Sequence, residues 1–141
     1  MDQGSADFSP DGRWIVYDEI NASGTRDVFV GETASGSGRR PVSSSGGSQP
    51  LFAKNGREIV YRRGGAVFAA SFDPATGEVG TPISLFTGPD GGRSPGVGAR
   101  GYDVSLDGAR FVLSVPVARP GATPNVVVIN WFDDLRRKVP Q

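Results

Sequence analysis

The chain has 141 residues, enough for one modest domain, and its 15 basic and 15 acidic side chains leave a formal net charge of zero. That balance removes the electrostatic grounds for a nucleic-acid or anionic-membrane partner. With no cysteine and no histidine, disulfides, thiol chemistry, zinc sites built on Cys or His, and a Ser-His-Asp triad are all excluded.

The first five residues, Met1-Asp2-Gln3-Gly4-Ser5, are polar and lack the basic and apolar regions of a signal peptide. As written, the chain is expected in the cytoplasm. A short strand is predicted at Ala6–Ser9, then a turn at Asp11-Gly12, then a strand rich in β-branched and aromatic residues at Trp14–Tyr17. Asp-Gly is a dipeptide favoured by tight hairpin turns, whose central residues need φ > 0. A third strand follows at Asp27–Val30 and a fourth at Arg40–Ser43, where Pro41 suits an edge position because its missing N–H costs little there.

The order then repeats. Pro50–Ala53, the turn Asn55-Gly56, and Glu58-Ile59-Val60-Tyr61 lead to Ala66–Ala70 and to Pro82–Phe86. A third pass begins with Tyr102–Ser105 and Asp107-Gly108, continues through Arg110–Leu113, and ends with a strand at Asn125–Ile129. A short helix is predicted at Trp131–Arg137, with its acids ahead of its bases as the helix dipole prefers. Corresponding positions Ser9, Ala53 and Ser105 are 44 and 52 residues apart, close to the period of about 40–50 residues found in β-propeller blades. Glycine and proline, present 21 and 11 times, fall mostly between these strands. The expected fold is all-β: blades of four antiparallel strands, about three per chain, with approximate bounds 4–46, 47–100 and 101–141.

The strand-Ser9-Pro10-Asp11-Gly12-Arg13-strand pattern resembles the TolB-like (WD-repeat-like) propeller repeat. Gly46-Gly47-Ser48-Gln49-Pro50, Asn55-Gly56-Arg57-Glu58-Ile59-Val60-Tyr61, Leu85-Phe86, Tyr102-Asp103-Val104-Ser105 and Asn130-Trp131-Phe132-Asp133-Asp134-Leu135 resemble the closing blades of bacterial TolB-like propellers. Ala53-Lys54 in place of Ser-Pro, Leu106 in place of Pro, and the glycine-rich stretch before Gly101 depart from the pattern. The resemblance implies a non-catalytic module that binds a protein, peptide or small ligand, in a family whose members can be periplasmic or part of a longer chain. Propellers have about four to eight blades, so three blades do not make a ring. The expectation is a six-bladed ring completed by a homodimer, against the alternative of a fragment.

Candidate chemistry is sparse. Asp7 and Asp103 occupy equivalent places in the first and third repeats, each four residues before the turn aspartate, and Leu51 stands there in the second. In a dimer their carboxylates would converge on a channel and could hold a divalent cation such as calcium, which can activate water or polarise a phosphoryl oxygen. Such a site would make the chain a metal-dependent esterase or phosphotriesterase. The plainer alternative has both aspartates hydrogen-bonded to nearby backbone. Glu19–Gly24 resembles the start of a calcium loop, but the twelfth position is Val30, so it is expected to be a hairpin connection. Asn21-Ala22-Ser23 is a glycosylation sequon without a secretion signal beside it. Gly96–Gly101 matches a dinucleotide fingerprint but leads into a strand instead of a helix. Arg136-Arg137-Lys138 is expected to be a solvated helix end, and no serine has a base beside it.

Overall fold

In the computed structural model the described residues are 4–88 and 100–114. The predicted strand at 125–129, the helix at 131–137, the basic run at 136–138 and most of the glycine run at 96–101 lie outside them. Ten strands follow one another: β1 (Ala6–Phe8), β2 (Trp14–Ile20), β3 (Arg26–Glu32), β4 (Arg40–Pro41), β5 (Ser48–Phe52), β6 (Glu58–Arg63), β7 (Ala66–Ser71), β8 (Ile83–Thr87), β9 (Tyr102–Val104) and β10 (Phe111–Leu113). They form two four-stranded antiparallel meanders, β1-β2-β3-β4 and β5-β6-β7-β8, and a β9-β10 hairpin. Each meander is one blade, the hairpin opens a third, and the described residues contain no helix.

The turns differ from the sequence expectation in one respect. Gly12, Gly56 and Gly108 adopt φ of 72°, 66° and 70°, while the Asp or Asn before each keeps negative φ. These are therefore not two-residue turns with both centres left-handed. In the first, Gly12 N–H donates to Ser9 C=O, Ser9 N–H donates to Trp14 C=O, and the intervening residues form a longer loop. The acid acts through its side chain: Asp11 accepts from the Ser9 hydroxyl at 2.5 Å and from Arg13 N–H at 3.1 Å. Asp107 accepts in the same way from the Ser105 hydroxyl and from Ala109 N–H.

Those bonds favour the charged carboxylate. Hydrogen bonds from Ser9 and Arg13 lower the Asp11 pKa, and those from Ala75 and Thr76 lower that of Asp73. The Ser105 hydroxyl and Ala109 N–H bring Asp107 down to about 2. A folded-state pKa below the unfolded one means stability that is complete above the ordinary value of 3.8 and lost as pH falls toward about 2. The melting temperature should therefore hold steady from about pH 7 to pH 5 and fall between about pH 4 and pH 2. Asp107→Asn should flatten the acid limb, as thermal melts monitored by circular dichroism would show.

Two cores hold the blades face to face. Trp14, Val16, Val28, Val30 and Val42 of the first blade meet Phe52, Ile59, Tyr61, Phe68, Ala70 and Phe72 of the second. Leu51, Val60, Val67, Ala69 and Phe86, on the opposite face of the second blade, meet Tyr102, Val104, Phe111 and Leu113 of the third. Strand alternation explains this arrangement, since neighbours such as Leu51 and Phe52 must point to opposite faces. We call the Phe52-Ile59-Tyr61 side of a blade its front and the Trp14-Val16 side its back. Each front packs on the back of the blade before it. Aromatic contacts reinforce the packing, with Trp14 and Phe52 both edge-on to Phe72 at 5.4 and 5.3 Å between centroids.

Candidate functional site

The first strands of the three repeats, β1, β5 and β9, are joined through polar groups. Asp7 Oδ2 accepts from Phe52 N–H at 3.0 Å, and its Oδ1 lies 3.8 Å from Arg100 Nη2. Arg100 also reaches Ala6 C=O at 3.4 Å. Asp103 Oδ1 accepts from the next backbone N–H, that of Val104, at 2.8 Å. So Asp7 reaches across to the next blade and Asp103 caps its own strand. Among the described residues, no three acidic side chains gather in a way that could hold a metal ion. Asp7 and Asp103 each spend an oxygen on a backbone N–H, as short acidic side chains commonly do.

The sequence did not point to the residue that ties all three blades together. Gln49 is the one described non-glycine residue with positive φ, 55°, and it lies at a register shift between Ser48 and Leu51. A bulge of this kind re-aims backbone groups. Gln49 N–H donates to Asp18 Oδ2 of the first blade at 2.8 Å, and its C=O accepts from the Tyr102 hydroxyl of the third at 2.7 Å. Its side-chain oxygen accepts from Gly101 N–H. Burial pushes the Tyr102 hydroxyl far above the ordinary phenol range, so it acts only as a neutral donor here. Asp18 also accepts from Arg26 Nη1 at 2.6 Å. A polar residue on the same face as Trp14 and Val16 was the available signal, and a predicted strand ending at Tyr17 stopped one residue short of it.

Glu19 and Ile20 end β2, and residues 21–25 form the β2–β3 connection. The Asn21 side-chain oxygen accepts from Ser23 N–H, the Ser23 hydroxyl and Thr25 N–H, while its amide donates to Asp27. The Asn21 and Ser23 oxygens that resembled calcium ligands are hydrogen-bonded within the hairpin, and Glu19 pairs with Arg39 at 3.2 Å.

A groove of about 800 Å³ opens where the outer edge of the first blade meets the β7–β8 connection of the second. Arg40 and Arg57 line it together with Asp73 and Glu78, and Ser71, Phe72 and Val79 contribute to its walls. A Phe72–Val79 bridge builds the far side, and Trp14 anchors it by donating its indole N–H to Pro74 C=O at 3.0 Å. The groove therefore presents charges of both signs beside apolar surface.

A solved protein of unknown function from Desulfotomaculum acetoxidans matches 83% of this chain at 14% identity and a TM-score of 0.59. The fold is that of β-propeller blades. TolB from Acinetobacter baumannii is also similar, at 20% identity over 88% of the chain and a TM-score of 0.49. A putative TolB from Agrobacterium tumefaciens matches 59% of the chain at 26% identity and a TM-score of 0.38. The chain spans 37%, 28% and 34% of those three proteins, roughly a third of their length. No family model matches the chain, and no curated protein does. The likeness is one of fold, and a fold leaves function to the site.

Proposed function

We propose that the chain is a non-catalytic β-propeller module that binds a peptide segment or small ligand on its outer surface. The observation that supports this is the groove between the first two blades, lined by Arg40 and Arg57 together with Asp73 and Glu78. Charges of both signs beside Phe72 and Val79 suit a short peptide carrying both an acid and a base over an apolar stem. Asp7, Asp18 and Asp103 serve as backbone acceptors between or within blades. That use gives them a structural role and supports binding over hydrolysis.

Peptides selected by display against the chain should carry an acidic residue and should lose at least about tenfold in affinity with Arg57→Glu. Arg57 is exposed, so the variant should fold normally. Selected peptides indifferent to both Arg57→Glu and Arg40→Glu would overturn the groove as the binding surface. Hydrolysis of a chromogenic phosphotriester that is lost with chelator, restored by calcium and abolished in Asp7→Asn/Asp103→Asn would replace the binding module with a metal-dependent esterase.

A further inference from the structure

The two interfaces inside the chain obey one rule, and among the described residues the front of the first blade and the back of the β9–β10 hairpin carry the same two halves unmatched. On the first blade, Phe8, Ile15, Tyr17 and Phe29 share the front face, since β1–β2 and β2–β3 register pairs Phe8 with Ile15 and Tyr17 with Phe29. Their counterparts in the second blade are Phe52, Ile59, Tyr61 and Phe68, joined by the same register: Phe52 with Ile59 and Tyr61 with Phe68. The second set is buried against the back of the first blade, and among the described residues the first set has no blade in front of it. Phe52 is 3% exposed and Phe8 58%. At the other end, Val112 stands where Val16 and Val60 stand on their blades, paired with Asp103 as Val16 is with Asp7. Val16 and Val60 are 0% and 3% exposed, and Val112 is 46%.

A polar clasp, Asp7 to Phe52 N–H, also marks the first junction, whereas Leu51 stands in its place at the second. Ser9 N–H donates to Trp14 C=O and Asp18 N–H to Ser5 C=O. In an antiparallel ladder this alternation turns the Phe8 N–H away from β2, as the Phe52 N–H is turned away from β6 toward Asp7. Asp103 holds the position of Asp7 and uses Oδ1 on Val104, which leaves Oδ2 for a further donor.

We propose that a second copy of this chain docks head to tail, the back of its β9–β10 hairpin on the front of the first blade, with its Asp103 accepting from Phe8 N–H. The surface continues an interface already formed twice within the chain, which is why a blade of this same sequence is the occupant. A head-to-tail contact closes into a ring when its rotation allows, and two chains then share two identical junctions. The proposal stands on blade geometry and is independent of the ligand groove.

Light scattering on the full chain at about 10 µM should give close to twice 14.8 kDa. Phe8→Arg should weaken the association at least about a hundredfold and Asp103→Lys at least about tenfold. Both positions are exposed in the single chain, so circular dichroism should show unchanged strand content in the dissociated variants. Mixing the two variants should restore a one-to-one complex, because each mixed pair keeps one intact front-to-back junction. A folded wild-type monomer would overturn the proposal and leave the face to a blade from a different polypeptide segment. A dimer indifferent to Phe8→Arg, or one lost with Phe8→Arg but kept with Asp103→Lys and not rescued by mixing, would also overturn it.

Discussion

Trp14→Ala should lower the unfolding free energy by about 3–5 kcal/mol, the range for deleting a large buried aromatic side chain. Trp14 is buried at the junction of three elements. Its ring meets Phe72 edge-on, its indole N–H is bonded to Pro74 C=O, and the Arg40 guanidinium lies 5.7 Å from the ring centroid. The loss therefore combines apolar transfer, a cavity between blades and an orphaned carbonyl. Trp14→Phe keeps most of the contact but not the donor, and should cost about 1–2 kcal/mol. The neighbour that limits this site is Gly77, with φ of 73° and a position where a Cβ would sit 2.2 Å from Trp14 Cη2 and 2.4 Å from Arg40 Nη1. Gly77→Ala should cost about 1–3 kcal/mol as overpacking. In the Trp14→Ala background the same change should cost less, because the clashing ring is gone. Ile83, 61% exposed, is the control: Ile83→Ala should stay within about 0.5 kcal/mol. Urea denaturation monitored by tryptophan fluorescence and circular dichroism would measure the series, with circular dichroism alone where Trp14 is replaced. A loss below about 1 kcal/mol for Trp14→Ala would mean that the blades do not pack through this ring.

The repeat made the blades legible because strand period and turn chemistry agree at each pass. Trp14–Tyr17 was expected and Trp14–Ile20 is observed, and Ala66–Ala70 was expected against Ala66–Ser71. The front and back faces follow from the same alternation, since Phe8, Phe52 and Val104 recur at one place and Asp7, Leu51 and Asp103 at the next. The clasp at Gln49 was not legible. Its left-handed backbone arises from three bonds to other blades, and the local sequence offered Gly46 and Gly47 as the obvious carriers of such a conformation. The groove was equally hidden, because it joins Arg40 to Arg57, Asp73 and Glu78 through packing between blades and through a Phe72–Val79 bridge with no turn dipeptide to mark it. Asp7 and Asp103 were visible as a repeated pair. Whether each crosses to a neighbour depended on what lies beside it: Phe52 N–H for Asp7, and Val104 N–H for Asp103.

Asp18→Ala should cost about 2–3 kcal/mol and should act on the junction between blades more than on either blade alone. The Asp18 side chain is only 2% exposed, and its two oxygens take separate charge-assisted bonds, Arg26 Nη1 at 2.6 Å and Gln49 N–H at 2.8 Å. Removing the carboxylate leaves the buried Gln49 N–H without its acceptor. Arg26, 31% exposed, can recover water, which keeps the cost below that of breaking a fully buried ion pair. Asp18→Asn retains one acceptor oxygen and should cost less, about 1–2 kcal/mol. The left-handed φ of Gln49 carries a backbone penalty of roughly 1 kcal/mol, sustained by bonds on both sides. Once the Asp18 bond is gone, the bulge should relax toward an ordinary strand and loosen Tyr102 on the far side. Hydrogen exchange should then accelerate at the amides of Gln49, Gly101 and Phe52 while those in the β2–β3 ladder keep their protection. Equal acceleration throughout the first blade would show instead that Asp18 supports its own sheet and not the clasp. Tyr102→Phe removes the opposite bond, and in combination with Asp18→Ala it should cost less than the two single losses added together, because both act by holding one strained residue.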